Sequence, residues 1–186
     1  MNIFISSLLL ISVSSTLAVS SKETQQKMIQ NINDFREAFS IGLQISNMQE
    51  LSYDIELEQE AKKMFNCDLV KDGEDFNVVR FRSFEDLVKG NDMPDARRIM
   101  KHKEEIMKNP DFKLGMIYFL HPLDSKIGCV DLIEECTFPN SEKSTHKAVC
   151  LTSPKHTTDA QSAWKHGKPM SDCLNGKSDS GLCKAA

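Results

Sequence analysis

The stretch KIGCVDLIEEC, residues 126–136, decides how this chain is read. Lys126-Ile127-Gly128-Cys129-Val130 puts a glycine and a cysteine side by side inside an apolar run, and Cys136 follows seven residues after Cys129. KIGCVDLI reads as a β-strand, because β-branched and apolar residues dominate it and polar turns bound it. Gly128 inside a strand marks a place where another backbone comes close. Downstream, PNSEKST forms a hairpin-like loop and HKAVCLT a further strand. Upstream, FKLGMIYFL (112–120) reads as a strand ended by HPLDS. Three strands with short polar turns between them predict a small antiparallel sheet.

The rest of the chain supplies helices. Met28, Ile32, Phe35 and Phe39 recur at steps of four, three and four, one face of a helix, with Gly42 expected to break or close it. Asp54 is placed to cap a second helix, with Glu56 and Glu58 in its first turn and Leu57, Ala61 and Met64 as its apolar face, ending at Cys67. VVRFRSFEDLV (78–88) starts like a strand, and its second half fits a short helix capped by Ser83. MPDARRIMKHKEEIMKN (93–109) predicts another helix, stopped by Asn109-Pro110-Asp111. After Ser153 the chain is polar and rich in Gly, Pro, Ser and Lys, and Cys173 and Cys183 are spaced to close a small loop there. The predicted class is α+β, helices packed on a small antiparallel sheet, with a cysteine-closed C-terminal tail.

Composition narrows the function. The chain has 186 residues, 40% hydrophobic and 27% charged, which suits one globular domain with a real core. A net charge of -4 with no basic block gives nucleic acid no footprint. Residues 1–20 carry no Asp, Glu, Lys or Arg and end in Ala18-Val19-Ser20, which reads as a signal peptide cleaved after Ser20. No later segment is apolar and long enough to span a bilayer. The six cysteines, Cys67, Cys129, Cys136, Cys150, Cys173 and Cys183, all lie behind it. An even count in an oxidising compartment reads as three disulfides, and composition leaves their connectivity open. The five histidines, 102, 121, 146, 156 and 166, show no metal-ligand spacing beside the cysteines. The predicted location is extracellular.

The order of these pieces resembles the CAP superfamily, the group of cysteine-rich secretory proteins, venom antigens, pathogenesis-related proteins and nematode SCP-like proteins. Asn33 and Arg36 match its helical N-x-x-R, Ser46-Asn47-Met48 its connector, and Tyr53-Asp54 its aromatic-Asp helix start. KIGC and AVC match its last two core strands, and GKPMSDC…GLC looks like its cysteine-rich hinge, with Met170 where a further Cys is common. The resemblance implies an α-β-α sandwich over 21–152, a hinge-like tail over 153–186, and the pairs Cys67–Cys136, Cys129–Cys150 and Cys173–Cys183. It also implies a protein that binds an extracellular protein partner, or a small apolar molecule such as a sterol or fatty acid.

Many such proteins carry two His and two Glu that converge on a divalent metal. Here the corresponding positions fall at Gly115 and near Lys71, with Glu74 as the only candidate acid and His121 where the family has Trp. The tetrad reads as lost, so no metal, cofactor or catalytic residue is nominated. With no G-x-S-x-G, H-E-x-x-H or P-loop either, the expectation is a non-enzymatic binding protein. A metal-dependent hydrolase is the alternative, and it requires at least two of His102, His121, His146 and Glu74 to meet in one cleft. A second alternative is an unrelated small disulfide-stapled secreted interaction protein. Trp164, beside Lys165 and His166, favours the protein-partner role if it is exposed, although a Trp so placed more often folds back onto the domain.

Overall fold

A computed structural model describes residues 20–91, 120–137, 145–157 and 160–185. The elements run α1 (Lys22–Leu43), β1 (Ser52–Tyr53), α2 (Ile55–Ala61), a 3-10 turn (Cys67–Leu69), β2 (Asn77–Phe81), α3 (Phe84–Lys89), β3 (Lys126–Thr137), β4 (Thr145–Ser153) and α4 (Ala160–Ala163). The leader at 1–19, the helix expected over 93–109 and nearly all of the strand expected over 112–120 lie outside the described residues.

The sheet has the order β1-β3-β4-β2. Its β3–β4 and β2–β4 pairs are antiparallel, as expected, but two-residue β1 runs parallel to β3, so the sheet is mixed. The reason lies in the connector after α1, which returns along the sheet edge in the direction of β3. Ser52 and Tyr53 pair there with Lys126 and Ile127. Cys129 stands directly opposite Cys150 in the β3–β4 ladder, and the two are disulfide-bonded. The other disulfides join Cys67 to Cys136 and Cys173 to Cys183.

Strand alternation sorts the side chains into two cores. Ile127, Cys129, Cys150, Val79 and Phe81 face α1 and α3, and pack on Met28, Ile32, Phe35, Phe39 and Leu87. Val130, Leu132, Val149, Leu151 and Val78 face the other way and cover Ala61 and Met64 of the α2 segment. Helices on both faces of one sheet give an α-β-α sandwich, in the α+β class.

Local chemistry explains the ends of these elements. Asp54 Oδ1 accepts from the N–H groups of Glu56 and Leu57 and so caps α2. Ser83 Oγ accepts from Asp86 N–H and caps α3. The stretch that begins like a strand and ends like a helix is therefore both, with the change at Ser83. Gly42 does not end α1; it is buried in the last turn, and Gln44 takes the left-handed conformation two residues later (φ 55°). Gly128 is required by close approach. A Cβ there would stand 2.2 Å from the backbone nitrogen of Glu58 and 2.7 Å from the Asp54 carbonyl oxygen.

The polar tail does not stand apart. Trp164 and Leu182 enter the α1-side core, and the Trp164 ring meets Phe39 edge-on with centroids 5.3 Å apart. Trp164 is thus a core residue rather than an exposed contact. Among the described residues no helix is long and apolar enough to cross a membrane.

Candidate functional site

The connector 44–51 and the loop 120–125 meet over a buried charge. Arg36 projects from α1 and is 0% exposed. Its Nε and Nη2 donate to the Gln49 carbonyl at 3.0 and 2.7 Å, and Nη2 also reaches the carbonyls of His121 at 3.1 Å and Asp124 at 3.2 Å. Burial lowers its pKa to about 10, which still leaves it a cation at neutral pH, with Asp124 acting against the fall. One turn earlier, Asn33 pairs its whole amide with one residue of the connector. Its Oδ1 accepts from Leu51 N–H at 2.8 Å, and its Nδ2 donates to Leu51 C=O at 2.9 Å. Asn33 and Arg36, three apart on one helix face, fix the path of the connector.

Connector and tail are stitched in the same way. Ser46 N–H and Oγ both donate to Lys165 C=O, while Asn47 bonds Ala163 C=O and Lys165 N–H. Cys183 N–H donates to Met48 C=O, and Glu50 N–H donates to Cys183 C=O.

The loop 120–125 carries the chemistry. Trp164 Nε1 donates to Leu120 C=O, Gln49 N–H to Pro122 C=O, and Ser125 N–H to Ser153 C=O. So held, the loop presents His121 and Asp124 to His156, which lies in the turn after β4. The His121 and His156 rings stack with centroids 3.5 Å apart and planes 10° apart. His156 Nε2 lies 3.1 Å from Asp124 Oδ1. Asp124 is 0% exposed, and burial raises its carboxyl pKa against the opposing pull of His156 and Arg36. His121 is buried, and the side chain of His156 is 11% exposed. One donor atom from each residue lies within 4.8 Å of the other two. Two imidazoles and a carboxylate at that separation can hold a cation or share protons.

Sequence analysis nominated no such set. His121 and Asp124 are three residues apart, a faint signal by itself, and His156 reaches them only because β4 ends beside their loop. Of the residues required by the hydrolase alternative, His121 enters the cluster. His146 sits on β4 opposite Cys136, and Glu74 is an exposed turn residue. His102 and Gly115 lie outside the described residues. Lys71, at the position resembling a family histidine, is exposed, and its ammonium has no lone pair for a metal while it is charged. The described part of that tetrad does not fit a metal ion. Among the described residues every cysteine is disulfide-bonded, so none supplies a thiolate.

A second feature lies on the tail side. A half-open groove of about 380 Å³ runs between Asn47, Gln49, Leu123, Trp164, Leu174 and Lys184. Leu174, on the Cys173–Cys183 loop, is 88% exposed at its rim.

The chain matches no protein-family model and no curated protein. Solved structures do match. The hookworm platelet inhibitor shares 19% identity at a TM-score of 0.58, over 94% of this chain and 97% of its own. NaASP2, solved with Zn2+, shares 19% at 0.53, over 88% of this chain and 96% of its own. Na-ASP-1 shares 17% at 0.55, over 88% of this chain but only 47% of its own length. At these identities the likeness establishes the fold. The protein has the CAP fold.

Proposed function

We propose that this chain is an extracellular, non-enzymatic CAP-fold binding protein that engages a protein partner with its tail face. Residues 1–20 act as the leader, 21–152 as the CAP-like domain and 153–186 as the tail that carries the contact. The observation behind this reading is Leu174. A large apolar side chain, 88% exposed, stands on a short disulfide-closed loop beside a groove. Displaying it costs hydration free energy, and a partner's surface would recover it. The loop's rigidity lowers the entropy lost on binding. The groove suits a protein better than a fatty acid or sterol, because it is open on one side and the exposed Lys165, Asn175 and Lys184 stand among its lining residues beside a largely apolar floor. Three disulfides and a leader suit the extracellular space.

The test compares the full secreted chain with Leu174→Asp and Leu123→Asp. Crosslinking in the extracellular fluid from which the protein comes should give one discrete protein adduct with wild type, reduced at least about tenfold by L174D. Unchanged crosslinking by L174D would refute the tail-face reading. A sterol or fatty acid extracted in stoichiometric amount from the purified protein would replace the protein partner with an apolar ligand.

A further inference from the structure

We propose that His121, Asp124 and His156 form a site for one divalent cation of the zinc class, which clamps the loop 120–125 to the turn after β4. The site is not the tetrad of the family resemblance. Its residues fall at other positions and come from other segments.

Three observations carry the proposal. The first is the donor set. Two imidazoles and one carboxylate, each offering an atom within 4.8 Å of the others, match the ligands that Zn2+ takes in three-ligand protein sites. They disfavour Ca2+ and Mg2+, which take oxygen ligands.

The second is the state of the carboxylate. Asp124 is 0% exposed, and its described side-chain partners are the His156 imidazole, with Nε2 3.1 Å from Oδ1, and the neighbouring Thr152 hydroxyl, neither in good hydrogen-bond geometry. The positive charge of Arg36 acts on the carboxylate through space, and its guanidinium also bonds the carbonyls of Gln49, His121 and Asp124. A buried carboxylate is costly without a strong partner, and a bound ion is one of the standard explanations for such a group.

The third is preorganisation and access. The backbone of the loop is held by Arg36, Trp164, Gln49 and Ser153, so when an ion binds the backbone needs little ordering and only the imidazole rings turn. His156 is the one partly exposed member, which provides an entrance and a fourth position for water.

Two described contacts have to change: the parallel stack of the His121 and His156 rings must open so that an in-plane lone pair from each converges on one ion, and one hydrogen bond is given up. His121 Nδ1 accepts from Leu123 N–H at 3.3 Å. If Nε2 ligates, Nδ1 carries the proton and this contact breaks. It is longer than an ordinary N–H···O bond of about 2.9–3.0 Å, so its loss is minor. The exchange also supplies a signature, because the Leu123 amide changes partner when the ion enters.

The experiment uses the full secreted chain, stripped with chelator and titrated with zinc chloride, with magnesium chloride as a control. Calorimetry should give one Zn2+ per chain, with a rise in melting temperature that magnesium does not produce. H156A should weaken binding by more than about 100-fold, since removing a ligand should cost more than the 10- to 100-fold seen for a ligand's supporting neighbour. H166A, at an exposed histidine outside the cluster, should leave it unchanged. In the 15N NMR spectrum of wild type, zinc should shift both stacked imidazoles and the Leu123 amide together. That readout stands even if H156A does not fold. Absence of stoichiometric zinc binding, binding that H156A retains in full, or zinc shifts that spare His121 and His156 would overturn the proposal. In those cases the cluster is a proton-sharing pair beside a stacked ring, with no ion.

Discussion

Asn33 does for the connector what a neighbouring strand would do. It gives one backbone N–H an acceptor and the same residue's C=O a donor, both inside the protein. Asn33→Ala leaves both Leu51 groups buried and unpaired. At about 1–3 kcal/mol for each of the two groups, the expected loss is about 2–6 kcal/mol, read as a shift in the midpoint of denaturant unfolding. Asn33→Asp keeps the shape but aims an anionic oxygen at the Leu51 carbonyl. The new carboxyl can donate there only when protonated, so folding raises its pKa. Its penalty is then full at neutral pH and shrinks as pH falls through that raised pKa. The gap between wild type and N33D should therefore narrow from pH 7 to pH 4.5, while the gap to N33A stays nearly constant. Arg36, one turn on, serves three carbonyls at once, and Arg36→Met should cost about 3–5 kcal/mol, because the carbonyls it leaves are buried and the negative charge of Asp124 loses its buried counterpart.

At the scale of elements, the decisive contact is α2 lying on β3. Gly128 is the floor of that contact, and Asp54 secures its near end by capping α2 and pairing with Lys126 Nζ at 2.9 Å. Gly128→Ala has only backbone to push against, so the helix must lift from the sheet. The expected cost is about 1–3 kcal/mol, the range of overpacked core substitutions, with little change in secondary structure by circular dichroism. Asp54 makes a prediction with a pH sign. Burial acts to raise its carboxyl pKa, but Lys126 and the N–H groups of Leu57 and Glu56 together hold it below the ordinary 3.8. A depressed carboxyl stabilises the fold above its unfolded pKa and loses that contribution as pH falls through the folded one. Asp54→Ala should thus cost about 1 kcal/mol at pH 7 as a lost cap. Urea melts taken in steps below pH 4 should show the two proteins converging. A difference that holds constant down to pH 2 would mean that the charge of Asp54 contributes nothing.

At the scale of the molecule, what was legible in the sequence follows the range of the interaction. The α1 face was legible because Met28, Ile32, Phe35 and Phe39 are one helix turn apart and share one core. Capping by Asp54 and Ser83 was legible because a cap and its amides are two or three residues apart. The parallel β1 edge was not, since nothing in Ser52-Tyr53 says which strand it will meet. The cluster His121-Asp124-His156 was hidden for the same reason. Its third member is supplied by topology, 32 residues beyond the second. The tail was the hardest to judge, because its polar composition concealed two anchors. Trp164 and Leu182 are buried against α1 and the connector, and backbone groups of Ser46, Met48 and Glu50 are satisfied only through Lys165, Asp172 and Cys183 among the described contacts. The tail therefore completes the core rather than trailing from it. A chain ending at Thr157 would lose the Phe39–Trp164 contact and the Ile45–His166 bridge, and strand those connector groups. Losing one buried Trp alone costs about 3–5 kcal/mol, a large part of the 5–15 kcal/mol by which a domain is stable. The truncated chain should fail to accumulate as a folded secreted protein. C173S/C183S, which keeps both anchors and frees only the loop of sequence separation 10, should fold and lose about 3 kcal/mol. Secreted yield and near-ultraviolet circular dichroism of the two variants separate the cases. A truncated chain that melts like wild type would mean that the tail is an appendage and that the domain ends with β4.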